Sequence, residues 1–423
     1  MSNKKQHIPS GYKSSPLGII PEDWEVKYLG DLLTRLTNGI TYDVSVTVGK
    51  PVSRIETISN GEINYLKVGY IEDARGLETY KMQIGDILYS HINSLAHIGK
   101  VAYYDGKQEL YHGMNLLLLR ANNWIDSKFL YICLLTSQAK HTAQTMAKPA
   151  VNQASISTED IKKIRIAIPT LPEQQRIVSV LSLWDTVIAK QTALIEQLTL
   201  RKRGLMQQLL TGKKRLKGFE GEWKEVRLGD TGSAYGGLVN KNKEDFENGN
   251  ALFITYMNVF SNGKIDIDDL GQVRILPSEK QEQVQYGDIF FTVSSETPDE
   301  VGMASVLLNQ VENTYLNSFC FGYRLNDFKT IVPLYASYLF RGDDFRKEMY
   351  KIAQGSTRFN ISKTEVLNMR IIIPSIEEQN AIASVLVNAD KEIEIAKGKL
   401  LHLQNQKRGL MQVLLTGKKR IKY

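Results

Sequence analysis

The sequence predicts an α+β protein made twice over. Two tandem mixed domains are each followed by one long helix, and the two helices form an antiparallel coiled-coil pair, a pseudo-two-fold internal repeat. Three observations predict it. Residues 202–215, KRGLMQQLLTGKKR, recur at 407–420 as KRGLMQVLLTGKKR, 205 residues further on. Ahead of each copy runs a heptad pattern of apolar residues. Ahead of each heptad run lies a domain-sized stretch of strand and turn signals. Recurrence at half-chain spacing means duplication, so each half is read against the other.

The chain opens on a polar leader with Pro9, Gly11 and Pro16. The first domain starts at PEDWEVKYLGDLL (21–33) and the second at EGEWKEVRLGDT (220–231), so Trp24 matches Trp223 and Leu29-Gly30-Asp31 matches Leu228-Gly229-Asp230. Tyr65-Leu66-Lys67-Val68 alternates and is rich in strand formers, which predicts a strand. Gly85-Asp86 and Gly287-Asp288 each precede a β run, with Asp86 and Asp288 shaping the turn. Residues 99–102 and 116–120 add strands, echoed near 302–304 and 319–324. Residues 127–141 and 334–350 read as helices. A turn-rich loop follows each (148–153 and 354–360), then a strand ending Ile168-Pro169 or Ile373-Pro374.

The long helices come next. Thr170 with Glu173, and Ser375 with Glu378, fit the capping-box pattern. Apolar residues then recur at steps of four and three. In the first helix they are Ile177, Leu181, Trp184, Ile188, Ile195, Leu198, Leu205 and Leu209. In the second they are Ile382, Leu386, Ala389, Ile393, Ala396, Leu400, Leu403, Leu410 and Leu414. Gln191 interrupts the first seam, and Lys202 and Lys407 interrupt both at one shared position. Residues 173–211 as helix would span about 58 Å. A lone helix cannot bury such a seam. Two copies can bury each other's, and the domain between them must bring the second one back, which predicts antiparallel pairing. Gly212 and Gly417 sit where C-caps belong. Between 168–217 and 373–422, 25 of 50 positions are identical, whereas the domains keep only scattered matches. The predicted boundaries are 1–169, 170–216, 217–374 and 375–423.

The net charge of +7 is concentrated at the repeat ends: 201–217 and 406–423 together carry thirteen Lys and Arg and no acid. A polyanionic partner is one reading; compensation of helix dipoles is the other. Two distant cysteines, Cys133 and Cys320, suggest a reducing compartment. The N-terminus lacks the apolar core of a signal peptide, and no apolar run approaches the roughly 20 residues of a membrane span. A cytoplasmic protein without a membrane role is expected.

No catalytic constellation emerges. The chain lacks a phosphate loop, a G-x-G-x-x-G fingerprint, H-E-x-x-H and C-x-x-C. The Asn-Pro-Pro-aromatic signature of amino-group methyltransferases is also absent. His91 and His97 have no counterparts in the second half. Recognition remains. The loop after each Gly-Asp strand is polar and differs between halves: Ser90, His91 and Asn93 in one, Thr292, Ser294 and Ser295 in the other. Such side chains address base edges or phosphates. A second candidate loop carries Lys67, Tyr70 and Arg75, with Tyr256, Asn258 and Lys264 in the other half. Gln153 and Arg358 mark a third, and a guanidinium there suits guanine or phosphate.

This organisation resembles the specificity subunit of type I restriction–modification systems. The resemblance rests on the paired W-x-x-x-x-L-G-D openings, the strands ending Ile-Pro, the P-E-Q and E-E-Q helix starts and the K-R-G-L-M-Q-x-L-L-T-G helix ends, and it covers nearly the whole chain. It implies two target recognition domains, each reading half of a bipartite site in double-stranded DNA, and a helical spacer that sets their separation. It also implies a chain with no catalysis and no cofactor of its own. Two methyltransferase subunits with S-adenosylmethionine, and restriction subunits with ATP and Mg, would be its partners, docked along the helix seam. The alternative is a stand-alone DNA-binding structural or regulatory protein. A self-sufficient nuclease or methyltransferase ranks last.

Overall fold

The computed structural model describes residues 8–59, 61–72, 75–149 and 153–421. The first seven residues of the leader, residues 150–152 of the third candidate loop and Lys422 of the second basic end lie outside the described residues. The chain divides into two compact units, Met1–Lys190 with Leu400–Tyr423, and Gln191–Lys399.

The first unit is built on a four-stranded antiparallel sheet in the order Val101–Tyr103, Ile87–Tyr89, Leu117–Ala121, Leu33–Asn38. The second has the equivalent sheet, Ala304–Val306, Ile289–Thr292, Cys320–Leu325, Gly232–Gly236. In each unit the strand after the domain-opening Trp pairs with the strand ending Ile-Pro: Glu25–Tyr28 with Arg165–Ile168, and Lys224–Arg227 with Arg370–Ile373. The repeat thus extends to strand order where the sequence keeps few identities. The units differ beside the main sheet. The second adds Leu270–Val273, Ala251–Ile254 and Thr314–Leu316, the last two parallel.

The Gly-Asp turns are held from within. Buried Asp86 accepts the Gln83 N–H at 2.7 Å and takes Nε and Nη2 of Arg120 at 2.7 and 2.8 Å. Asp288 accepts the Gln285 N–H at 2.8 Å, Arg324 at 2.9 and 2.8 Å and the Tyr235 hydroxyl at 2.5 Å. A buried carboxylate persists because paired guanidinium and backbone donors replace its hydration.

Three sequence expectations change. Residues 65–68 form a turn, not a strand, because Asn64 accepts the N–H groups of Leu66 and Lys67 through its side chain and its carbonyl, at 3.0 Å each. The stretch 127–141 is two helices, Ser127–Leu134 and Ser137–Met146, broken where Thr136 caps the second by accepting the Ala139 N–H. Likewise 334–350 is Pro333–Leu339 and Asp343–Ile352, with Gly342 between as N-cap.

The long helices are Leu171–Leu209 and Ile376–Leu415. In the first unit, Ile177 and Leu181 from the start of one and Leu414 from the end of the other join the core around Trp24, Phe129 and Leu117. In the second, Ile382, Leu386 and Leu209 do the same around Phe291, Phe321 and Phe340. The pairing within each unit is antiparallel. In the second unit Gln191 meets Ala396 while Lys202 meets Asp390; in the first, Ile177 and Leu181 share a core with Leu414 while Asp185 meets Lys407. The seam residues Trp184, Ile188, Ile195, Leu198, Leu205, Leu400, Leu403 and Leu410 are half-buried, and Ile393 is buried. Gly212 and Gly417 close the helices at φ 69° and 68°, values that favour glycine. Contrary to the expectation from apolar runs, the first long helix is long and apolar enough, by length and composition, to cross a membrane.

Candidate nucleic-acid interface

Two of the three candidate loops converge in each unit. In the first, Ile92–Asn93 pairs antiparallel with Ala154–Ser155, which sets Asn93 opposite Ala154 and next to Gln153. In the second, Ser294–Ser295 pairs with Phe359–Asn360, Ser295 lying opposite Phe359 and next to Arg358. Gln153 and Arg358 therefore hold equivalent places, and both are exposed. The strand leading into each pairing is the one anchored by Asp86 or Asp288, so the loops stand on a rigid base. Tyr256 belongs to the same cluster: its hydroxyl donates to the Ser294 carbonyl at 3.1 Å. Burial pushes its phenol up, and the charge of Arg358 opposes that shift.

The remaining candidates lie elsewhere. Asn258 is fully buried; its Nδ2 donates to the carbonyls of Asp266 and Asp269 at 2.7 and 2.8 Å, and its Oδ1 accepts the Asp266 N–H. Lys264 turns to the second long helix, with Nζ donating to the Tyr338 hydroxyl at 2.7 Å and 3.4 Å from Asp390. Thr292 is fully buried and accepts the Met303 N–H at 3.0 Å. Ser90 and Ser295 are buried, Ser295 accepting the Thr297 N–H. His91 is buried, its Nδ1 has no partner among the described residues, and burial pulls its pKa to about 4. In these cases the side chain points into the domain. Lys67 and Arg75 are exposed and Tyr70 half-buried, but no described contact brings them to the Ile92–Asn93 pairing.

Sequence reasoning missed how the repeat ends are held. Glu173 is only 3% exposed, and both its oxygens are taken by Arg420. Glu378 is held the same way by Arg215. Neither glutamate reaches back to its cap residue, so neither capping box closes; Ser375 alone accepts the Glu378 N–H, at 3.3 Å. The next residue, Gln174, is fully buried, donates to the carbonyls of Pro169 and Trp124 and accepts the Asp126 N–H. Gln379 does the same with Pro374, Thr330 and Val332. The Glu-Gln pair is thus a docking device for the helix start. The repeated sequence was the available signal, since both residues recur 205 positions apart.

Arg201, Lys202, Arg203 and Arg215 in the second unit, and Lys407 and Arg420 in the first, each pair with a carboxylate. Among the described residues no group of three or more His, Cys, Asp and Glu is arranged to hold a metal ion. Burial pushes the thiols of Cys133 and Cys320 up to about 12, which leaves them protonated and unreactive.

These features define a duplicated recognition protein, one loop cluster on each of two equivalent scaffolds. The family model of the type I restriction modification DNA specificity domain matches residues 21–200 and 220–405. The putative type I restriction enzyme MjaX specificity subunit of Methanocaldococcus jannaschii is 34% identical, over 97% of each chain. The EcoKI specificity subunit of Escherichia coli is 29% identical over 35% of this chain and 33% of its own. A chain solved in work on complex assembly and conformational transition of the type I R-M system shares the fold with a TM-score of 0.62 at 16% identity, covering 95% of this chain and 99% of that one. The HsdS subunit of Thermoanaerobacter tengcongensis does so with a TM-score of 0.50 at 16% identity, over 95% and 98%. The chain belongs to the type I restriction–modification specificity-subunit family. Its role is DNA sequence recognition through two domains.

Proposed function

We propose that each domain reads one half of a bipartite DNA site through its paired loops, and that the long helices set the unread spacer and dock the methyltransferase subunits. The carrying observation is that the same strand pairing places Ile92 and Gln153 in one domain where it places Ser294 and Arg358 in the other. One frame with different side chains suits two readers of different sequence. The chain itself is non-catalytic. S-adenosylmethionine, ATP and Mg act on two methyltransferase subunits and on restriction subunits, in the cytoplasm. Exposed apolar residues on the helices support docking: Leu183 and Val187 in the first unit, and Leu194, Leu200 and Ile395 in the second. Their burial in a complex accounts for the apolar character of the first long helix without a membrane.

Co-expression with a type I methyltransferase subunit from the same genome, followed by genome-wide mapping of methylated adenine, tests this. The expected result is a stable complex and a split motif with a constant spacer. Absence of a complex favours a stand-alone DNA-binding protein. A continuous motif overturns the two-reader reading.

A further inference from the structure

Resting on the reading that the paired loops meet DNA, we propose that Phe319 is a base-contacting, specificity-determining residue of the second domain, and that Asn115 holds the same position in the first. Neither residue stands out in the sequence. Both lie the same number of residues from register-matched strand positions. Ile87 and Ile289 each follow a Gly-Asp turn, and they pair with Leu119 and Tyr323. One residue on lie Arg120 and Arg324, which grip Asp86 and Asp288. Four residues back from Leu119 and Tyr323 lie Asn115 and Phe319.

Phe319 stands beside the reading cluster. Its carbonyl accepts the Val293 N–H at 3.0 Å, and the Val293 carbonyl accepts the Ile361 N–H at 3.0 Å. Three chain segments therefore lie side by side, one ending in Phe319, one leading into Ser294, one following Arg358. The Asn317 side chain accepts the Phe319 N–H at 2.8 Å and fixes the turn. Although the turn is fixed, Phe319 is 62% exposed. A large aromatic left exposed on a fixed turn is unfavourable in water and suited to an apolar target. On DNA that target is the thymine 5-methyl group in the major groove; an asparagine at the same position suits the donor–acceptor edge of adenine. Arg358 and Ser294 supply the polar contacts alongside, and the difference between Phe319 and Asn115 gives the two readers different preferences at one matched position.

The test uses the full chain assembled with its methyltransferase subunits, acting on a DNA library randomised at each position of the wild-type site. Phe319→Ala is expected to lower base discrimination about tenfold at one position of one half-site, with the other half-site and the spacer unchanged. Phe319→Asn is expected to move the preference at that position from thymine toward adenine. Asn115→Ala is expected to relax one position of the opposite half-site. Wild-type preferences at every position in a folded Phe319→Ala complex overturn the inference and leave the two-reader function standing. A wild-type complex with no two-part site overturns both.

Discussion

Arg420 holds Glu173 by two prongs, Nε to Oε1 at 2.6 Å and Nη2 to Oε2 at 2.7 Å. Its guanidinium also takes both oxygens of Asp23 at 2.8 Å and lies 6.0 Å from the Trp24 ring centroid. Within this unit, the basic end of the second long helix is thereby fastened to the start of the first and to the domain opening. Arg215 repeats the grip on Glu378 at 2.6 and 2.7 Å, beside Trp223. The repeated arginine of GKKR is therefore a clasp, which explains why the Trp, the Glu and the basic end are kept together in both halves.

Removing the clasp has a definite cost. Arg420→Ala leaves the Glu173 carboxylate buried without its countercharge. Such a loss costs about 3–5 kcal/mol in a fully buried pair; with the arginine one-third exposed, about 2 kcal/mol is expected after screening. Arg420→Lys should recover only part of it, since a point charge cannot fill both oxygens. Hydrogen exchange across residues 171–181 reads this out. Unchanged protection in Arg420→Ala would show the clasp to be idle.

Gln379 tests the neighbouring device. Its amide donates to the carbonyls of Pro374 and Thr330 and accepts the Val332 N–H. Gln379→Leu keeps the volume and strands one buried and two part-buried backbone groups. At about 1–3 kcal/mol for each unsatisfied group, it should destabilise more than Arg420→Ala does. Denaturant unfolding of the two variants side by side decides the order.

Acid should loosen the first unit before the second. His91 and His112 are buried, and burial lowers both to about 4, against an unfolded value near 6.5. Below about pH 6.5 the unfolded chain binds protons that the folded unit refuses. The stability these neutral histidines allow is therefore complete above that value and lost as pH falls toward about 4, by roughly 2–3 kcal/mol each. Residues 191–399 contain no histidine. Hydrogen exchange at pH 7 and pH 5 should show amides around Ile87–Tyr89 losing protection while those around Ile289–Thr292 change less. Equal loss in both units would contradict this origin.

Much of this architecture is legible in the sequence, for a physical reason. Seam positions such as Ile177, Leu181, Ile382 and Leu386 repeat at helical spacing, and each is buried; periodicity is a local signal. Gly212 and Gly417 are legible because a C-cap needs positive φ. Side-chain direction inside a recognition loop is not local. Thr292 and Ser294 are two residues apart and both polar, yet one is buried and the other half-buried. Asn258 reads as a loop amide and is a buried cross-link. The approach of Gln153 to Asn93, and of Arg358 to Ser295, depends on pairing strands some 60 residues apart. No window of sequence contains that pairing. Glu173 and Glu378 mislead because the capping-box pattern is satisfied locally while a distant arginine competes better for the carboxylate.

The final prediction compares two aspartates at equivalent repeat positions, 185 and 390. Both pair with the lysine that interrupts the opposing seam, Asp185 with Lys407 and Asp390 with Lys202. Their surroundings differ. Asp185 is 57% exposed at its side chain and, among the described residues, pairs with Lys407; Asp390 is 29% exposed and also takes the Tyr338 hydroxyl at 2.6 Å and Lys264 at 3.4 Å. Burial pushes the Asp390 carboxyl up, but Lys202 and Tyr338 outweigh it and hold the carboxyl below the usual range. Neutralising Asp185 should cost at most about 1 kcal/mol, as for exposed pairs. Asp390→Asn leaves Lys202 and a half-buried Lys264 without their carboxylate, and should cost about 2–3 kcal/mol. The sign of the pH effect follows. The contribution of Asp390 is present above its unfolded pKa near 3.9 and is lost as pH falls through its lower folded value. It is therefore constant over the range where the histidines titrate. Urea titrations of Asp185→Asn and Asp390→Asn at pH 7 and pH 5 separate the two effects. Equal destabilisation by both variants would mean that Tyr338 and Lys264 add nothing to the seam pair.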